Sequence, residues 1–194
     1  EVHPPRQVNN IYFDTLDLDT YAENLSGISN RTKVRFRWYG ETDSPENGVL
    51  EVKQRHNDVG TKIVINTSGV LELEGRSWRC IINGLRRKLS EQDKIWLKHF
   101  DWPVIINHYN RKYYESYDGL LLLTIDTKQA VFDQTRAARP NCSKKSNLPD
   151  CAIIEVKFRP ENSTYGSDVI KSLPLRRSRN SKYMVGVNST LYLY

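Results

Sequence analysis

The sequence has few cysteines and no long apolar stretch. Its three cysteines are too few to staple a chain of 194 residues, and none are paired in the C-x-x-C spacing of a zinc site. Its apolar runs are short, as at residues 120–123, whereas a membrane-spanning helix needs about 20 apolar residues. The sequence therefore argues against a disulfide scaffold and a structural zinc site, and it contains no membrane-spanning segment.

Motifs of several common enzyme classes are also missing. The sequence contains no G-x-G-x-x-G dinucleotide loop, no G-x-x-x-x-G-K-[ST] phosphate loop and no recognisable Ser–His–Asp arrangement. Because the chain shows no signal or membrane segment, we expect a cytoplasmic location. A domain taken from a larger protein or complex would have the same appearance.

What the sequence does contain is basic charge. Lys and Arg number 29 and Asp and Glu number 23, which gives a formal net charge of +6. Hydrophobic residues make up 38% of the chain, enough to form a packed core. The length fits one domain, so we predict a single domain over residues 1–194.

The spacing of apolar residues predicts an α+β domain. Alternation with a period of two predicts strands at residues 11–13, 33–39, 50–53, 62–65, 109–117, 120–126 and 153–159. Helical spacing and capping residues predict helices at 16–25, 75–89 and 90–100, with shorter helical segments at 168–173 and 178–187. Residues 135–149 are rich in polar residues and proline and are predicted to form an exposed loop.

The polar faces of the strands use few residue types. Alternation groups Lys33, Arg35 and Arg37 on one face, as it does Glu51 with Lys53. Two further strands repeat the pattern with Tyr109, Arg111 and Tyr113, and with Glu155, Lys157 and Arg159. Two arrangements fit: an open sheet with this face in water, or a closed barrel with a charged lumen and an apolar outside covered by helices.

An ordered set of motifs carries a family resemblance. It comprises residues 8–15 (VNNIYFDT), 31–40 (RTKVRFRWYG), 50–53 (LEVK), 109–114 (YNRKYY), 123–126 (LTID), 154–157 (IEVK) and 181–183 (SKY). In this order they resemble the vacuolar transporter chaperone (VTC) type of polyphosphate polymerase domain. That family belongs to the triphosphate tunnel metalloenzymes, so the resemblance implies an antiparallel β-barrel with a charged lumen and helices packed outside. Tunnel enzymes typically begin with a strand of alternating Glu and Lys, and since nothing before Val8 looks like it, we expect the chain to lack an upstream first strand.

The resemblance assigns roles to individual residues. Arg35 and Arg37, whose guanidiniums share a strand face, would hold the triphosphate, and Lys182 would reach the terminal phosphate from a helix; these three are the predicted catalytic residues. Glu155 would bind Mn²⁺ or Mg²⁺. The other predicted phosphate ligands are Lys53, Lys62, Tyr109, Arg111, Lys157 and Ser181.

Four further charged residues are weaker candidates. Lys128 and Arg136 could add phosphate contacts, although Arg136 begins the basic loop and could simply be solvated. Glu51 is expected to hold the basic residues in place rather than to bind metal. Asp126 is ambiguous between the same two roles.

The resemblance implies a polyphosphate polymerase that transfers the γ-phosphate of ATP to a growing polyphosphate chain. Its ligands would be ATP or triphosphate and polyphosphate, with no specific nucleic acid. Two rivals stay open on the same scaffold: a metal-dependent hydrolase of triphosphate or nucleoside triphosphates, and a binding domain without catalysis.

Overall fold

In a computed structural model that describes residues 1–57 and 59–191, strands and helices follow one another in an α+β arrangement. The strands are β1 (His3–Asp14), β2 (Arg31–Tyr39), β3 (Gly48–His56), β4 (Val59–Thr67), β5 (Trp102–Glu115), β6 (Leu121–Asp133) and β7 (Ile153–Phe158). The helices are α1 (Asp19–Leu25), α2 (Trp78–Arg87), α3 (Lys94–His99), α4 (Ser163–Ser172) and α5 (Lys182–Leu191), with a short 3-10 turn at Pro160–Asn162.

The seven strands form one antiparallel sheet in the order β4-β3-β2-β1-β5-β6-β7. The sheet curls into a half-barrel, with β1 at its centre and β4 and β7 at the ends of the strand order. The predicted α+β class, with an antiparallel sheet and helices outside it, is confirmed, and the predicted β-barrel is seen as a half-barrel. The concave face of the half-barrel corresponds to the charged lumen that the sequence predicts.

The convex face carries the larger apolar core. Val34, Phe36 and Trp38 point from β2 to this side, where residues of α2 such as Ile81 and Leu85 pack against the sheet. Burial of these side chains on one face leaves their polar neighbours on the other, as alternation requires. The packing is close at the start of β3, because a Cβ atom at Gly48 would lie 2.0 Å from the ring of Phe36.

A second apolar cluster holds α5 against the sheet on the side of the charged face. Tyr183 and Val187 of α5 pack with Tyr12, Ile105 and Val131. The phenol of Tyr183 also donates a hydrogen bond to a carboxylate oxygen of Asp14 at the end of β1. These contacts place the first turn of α5 beside the concave face.

Capping groups explain where two of the helices begin. The carboxylate of Asp14 accepts hydrogen bonds from the backbone N–H groups of Thr20 (2.9 Å) and Tyr21 (3.1 Å), so α1 begins at Asp19 rather than at residue 16 as predicted. Ser77 accepts a hydrogen bond from the N–H of Cys80 at 3.3 Å and caps α2.

The structure also bears on the cysteines and on the hydropathy of the helices. The cysteines Cys80, Cys142 and Cys151 are exposed and free. None of the helices within residues 1–57 and 59–191 has the length and hydropathy of a membrane-spanning segment.

Candidate functional site

A cavity of about 430 Å³ lies on the concave face of the sheet and is bordered by the first turn of α5. All ten side chains predicted to bind phosphate or metal line it: Arg35, Arg37, Lys53, Lys62, Tyr109, Arg111, Glu155, Lys157, Ser181 and Lys182. Lys33 lines it as well, which brings the number of cationic side chains at this cavity to eight. We call it the cationic cavity.

Glu51 is the anion that organises one side of the cationic cavity. Its side chain is 6% exposed, and one carboxylate oxygen accepts a hydrogen bond from Nε of Arg35 at 2.6 Å. The other lies 2.7 Å from Nζ of Lys62 and 3.5 Å from Nη1 of Arg37. Burial alone would raise the pKa of Glu51, but Arg35, Arg37 and Lys62 lower it to about 2. Glu51 therefore holds the basic residues in place, as the sequence suggests.

Asp126 has the same role on the other side of the cavity. Its carboxylate is buried and accepts two hydrogen bonds from Arg111, from Nε at 2.6 Å and from Nη2 at 2.8 Å. Nζ of Lys182 lies 2.6 Å from the same carboxylate. Burial would raise the pKa of Asp126, and the contacts with Arg111 and Lys182 lower it below its usual value. In this structure the carboxylate of Asp126 is therefore engaged in ion pairs with Arg111 and Lys182.

Uncharged polar groups fix the orientation of the two arginines of β2. Nη1 of Arg35 donates to the hydroxyl of Tyr12 at 3.1 Å, and Nε of Arg37 donates to Oδ1 of Asn10 at 3.0 Å. Asn10 donates in turn to Asn107 at 2.8 Å. Because each guanidinium has five N–H donors, both arginines keep donors for a ligand.

The ring of Tyr109 lies between cations of the sheet and of α5. Nζ of Lys182 is 4.6 Å from the ring centroid and the guanidinium carbon of Arg111 is 5.2 Å from it, which are cation–π distances. Tyr109 is buried, and burial raises the pKa of its phenol. The ring therefore serves as a neutral support for Arg111 and Lys182.

Lys33 is a cavity residue that was missing from the predicted ligands. Its ammonium donates to Oγ of Ser181 at 3.1 Å and so connects β2 to the start of α5. Burial, together with the nearby charges of Arg31, Lys53 and Arg35, lowers the pKa of Lys33 to about 8. Its position two residues before Arg35 was the signal that could have identified it.

Glu155 is the most accessible carboxylate of the cavity. Its side chain is 46% exposed, with its oxygens 3.5 Å from Nζ of Lys157 and 3.9 Å from Nη2 of Arg111. No group of three or more His, Cys, Asp or Glu side chains that could hold a metal occurs in the described part of the chain. Mg²⁺ on phosphate substrates is commonly held by one or two carboxylates together with phosphate oxygens and water, so a single accessible Glu155 fits such an ion.

Other candidates lie away from the cavity. Lys128 is exposed at an irregular position of β6 with a φ of 52°, and Arg136 is exposed in the loop after β6; neither is among the described residues that line the cavity. Tyr113 shares the face of Arg111 but contacts Arg6, whose Nε donates to its hydroxyl at 3.1 Å.

The arrangement suits an extended polyanion. Cations from β2, β3, β4, β5, β7 and α5 converge on one cavity, and two buried carboxylates orient five of them. Preorganised donors of this kind are suited to binding the oxygens of phosphate groups.

Comparison with known families agrees with this chemistry. The family model of the VTC domain matches residues 3–191, almost the whole chain. No curated protein is similar enough to count as a relative. The VTC family is associated with polyphosphate metabolism, which supports an enzyme with a polyphosphate-related function. By a match that covers every strand of the half-barrel and all the residues of the cationic cavity, the chain belongs to the VTC domain family.

Proposed function

We propose that the chain is a polyphosphate polymerase that transfers the γ-phosphate of ATP to a growing polyphosphate chain. The observation that carries the proposal is the convergence of eight Lys and Arg side chains on one cavity of about 430 Å³. Polyphosphate carries negative charge on every unit, so a cavity with this excess of cations attracts it electrostatically.

For this reaction the protein has to position the phosphates and neutralise their charge, and it needs little covalent chemistry of its own. In the proposed step a terminal oxygen of polyphosphate attacks the γ-phosphorus of ATP, the bond from that phosphorus to the bridging oxygen breaks, and ADP leaves. Arg35 and Arg37 hold the triphosphate through the N–H donors that Glu51 does not use. Lys182, directed into the cavity from α5 by Asp126, neutralises the terminal phosphate.

Glu155 is the proposed ligand for Mn²⁺ or Mg²⁺, together with oxygens of the substrate phosphates. When bound, such an ion neutralises part of the phosphate charge. Nζ of Lys157 lies 3.5 Å from the carboxylate of Glu155 and faces the same phosphates.

The two buried carboxylates beside the cavity, Glu51 and Asp126, favour a polymerase over a hydrolase. Hydrolysis needs a base that activates water, and a carboxylate with a pKa of about 2, such as Glu51, is a weak base. The pKa of Asp126 is lowered as well by Arg111 and Lys182. The acceptor oxygen of polyphosphate is already anionic and needs no base, so transfer to phosphate suits these side chains better.

The test is a gel for polyphosphate made from ATP and Mn²⁺. The wild-type chain is expected to give a ladder that Arg35→Ala abolishes and Arg35→Lys reduces, while Lys112→Ala, an exposed cation on β5 beside Arg111, leaves it intact. Free phosphate without a ladder would identify a hydrolase. Binding of tripolyphosphate without either product would identify a domain that binds and does not catalyse.

A further inference from the structure

A second cavity adjoins the cationic cavity, and the two share Arg37. It has a volume of about 350 Å³ and is lined by residues of β2, β3 and β4 and of the loop before β3. Arg37 is paired in register with Val49, and Val49 with Asn66, so the second cavity continues the concave face towards β4. We call it the neutral cavity and define it by Arg37, Tyr39, Asn47, Val49, Asn66 and Ser68.

The chemistry of the neutral cavity differs from that of the cationic one. Among the described residues that line it, Arg37 alone is charged, and the others supply one aromatic ring, two amides, hydroxyls and a valine. A chain of phosphates would find a charged partner in Arg37 and would gain little binding energy from the other residues of this surface. A planar, uncharged group with donors and acceptors on its edge matches it, because an amide side chain offers both kinds of hydrogen bond.

Tyr39 provides a surface for stacking. Its side chain is exposed at the rim of the sheet, and the guanidinium of Arg6 lies 4.1 Å from its ring centroid. The cation holds the ring in place while the ring also lines the neutral cavity. Aromatic rings of this kind stack on nucleic acid bases without preference for one base, since every base has a π-face.

We propose that the neutral cavity binds the nucleoside of a nucleoside triphosphate whose phosphates occupy the cationic cavity. Tyr39 stacks on the base, Asn47 and Asn66 hydrogen-bond to its edge, and Arg37 binds the phosphate at the junction. The volume is within the range of about 300–1,000 Å³ that is usual for small-molecule sites. The inference rests on the proposed function for its phosphate site and adds the residues that distinguish a nucleotide from inorganic triphosphate.

Calorimetric titration of the wild-type chain and its variants with ATP and with inorganic tripolyphosphate, both in EDTA, tests the inference. Tyr39→Ala is expected to weaken ATP binding about tenfold, the size of one lost base–aromatic contact, and to leave tripolyphosphate binding unchanged. Tyr39→Phe keeps the ring and is expected to retain ATP affinity. Asn66→Ala, on the exposed end of β4, is expected to weaken ATP alone without disturbing the core.

Each contrary result has a distinct meaning. Equal weakening of both ligands by Tyr39→Ala, or no weakening of either by Tyr39→Ala and Asn66→Ala, overturns the nucleoside site. Weakened binding of a long polyphosphate, with ATP unaffected, also overturns it and makes the neutral cavity part of the phosphate path. A wild-type chain that does not bind ATP defeats the proposed function itself. A wild-type chain that binds both ligands, with ATP affinity unchanged in Tyr39→Ala and Asn66→Ala, defeats only this inference.

Discussion

The carboxylate of Asp126 holds the guanidinium of Arg111 by two hydrogen bonds, at 2.6 Å and 2.8 Å. The same carboxylate lies 2.6 Å from the ammonium of Lys182. One buried anion thus orients a cation of the sheet and a cation of α5 towards the same cavity. In the proposed reaction, cations that are already oriented would need little reorganisation when a phosphate binds, and preorganised charges of this kind stabilise the charge that develops in phosphoryl transfer.

Replacement of Asp126 tests this arrangement. Asp126→Ala leaves Arg111 and Lys182 without their anion, and the loss of one partner from a buried ion pair costs about 3–5 kcal/mol. We expect urea unfolding to show a loss of that order at neutral pH. Tripolyphosphate should raise the melting temperature of this variant more than that of the wild type, because the ligand replaces the missing negative charge.

Asp101→Ala is the matched control for that experiment. Asp101 is 51% exposed and pairs with Arg86 at 3.1 Å on the surface, so its removal should cost less than about 1 kcal/mol. If both variants lose the same stability, or if tripolyphosphate stabilises Asp126→Ala no more than the wild type, Asp126 does not orient the cations of the cavity.

The pKa of Glu51 predicts how stability depends on acid. Its folded value of about 2 is below the ordinary 4.5, so Glu51 stabilises the fold fully above pH 4.5 and this contribution is lost as pH falls from 4.5 towards 2. We expect the ionised Glu51 to contribute about 2 kcal/mol to the free energy of unfolding, because water screens its interaction with the half-exposed Lys62.

Urea unfolding at pH 7, 4 and 3 checks this expectation. Glu51→Gln should be less stable than the wild type at pH 7, and the difference should shrink as pH falls. Glu46→Gln, in the exposed loop before β3, should follow the wild type at every pH. A constant gap between Glu51→Gln and the wild type would mean that the charge of Glu51 does not stabilise the fold.

Alternation along single strands predicted which side chains share a face of the sheet. The side chains of a strand point to opposite faces in turn, so Arg35 and Arg37 had to share a face, as did Glu155 and Lys157. Because the apolar residues between them needed a core, the charged face had to be the other one. The resemblance supplied the remaining step, that these faces converge on one cavity.

The length of the strands and the neighbours across the sheet were harder to predict. Residues 3–10 contain two prolines and two asparagines and gave no strand signal, yet β1 is twelve residues long and pairs with both β2 and β5. Asn10 belongs there because its amide bonds Arg37 and Asn107 across the strands. Such partners become visible only when the pairing register of the strands is known. The predicted strand at 120–126 was also too short, because β6 continues to Asp133 past an irregular backbone position at Lys128.

The lowered pKa of Lys33 predicts that the protein takes up protons when it binds a phosphate ligand. With a pKa of about 8 in the free protein, Lys33 is only partly protonated at pH 8, and phosphate beside it favours the charged form. Binding of tripolyphosphate should therefore take up a fraction of a proton at this site near pH 8, and affinity should fall as pH rises through 8. Titrations in two buffers of different ionisation enthalpy measure the uptake.

Lys33→Arg is the control because arginine stays charged throughout this range. The proton uptake by Lys33 should vanish in this variant and its affinity should fall less steeply with pH, whereas protons exchanged by tripolyphosphate itself are common to both proteins. Identical uptake in the two proteins would show that the ammonium of Lys33 does not respond to the ligand.

The accessibility of Glu155 leads to a prediction of how Mn²⁺ changes the affinity of the site for tripolyphosphate. Because it is the accessible carboxylate of the cavity, Glu155→Gln should remove most of the gain in tripolyphosphate affinity that Mn²⁺ gives to the wild type. In EDTA the same change should leave affinity equal or higher, since it removes a negative charge from beside the phosphates. Glu161→Gln, an exposed carboxylate just after β7, should respond to Mn²⁺ as the wild type does. Weaker binding by Glu155→Gln in EDTA as well would instead mean that Glu155 acts by holding Lys157 in place, because that role needs no metal.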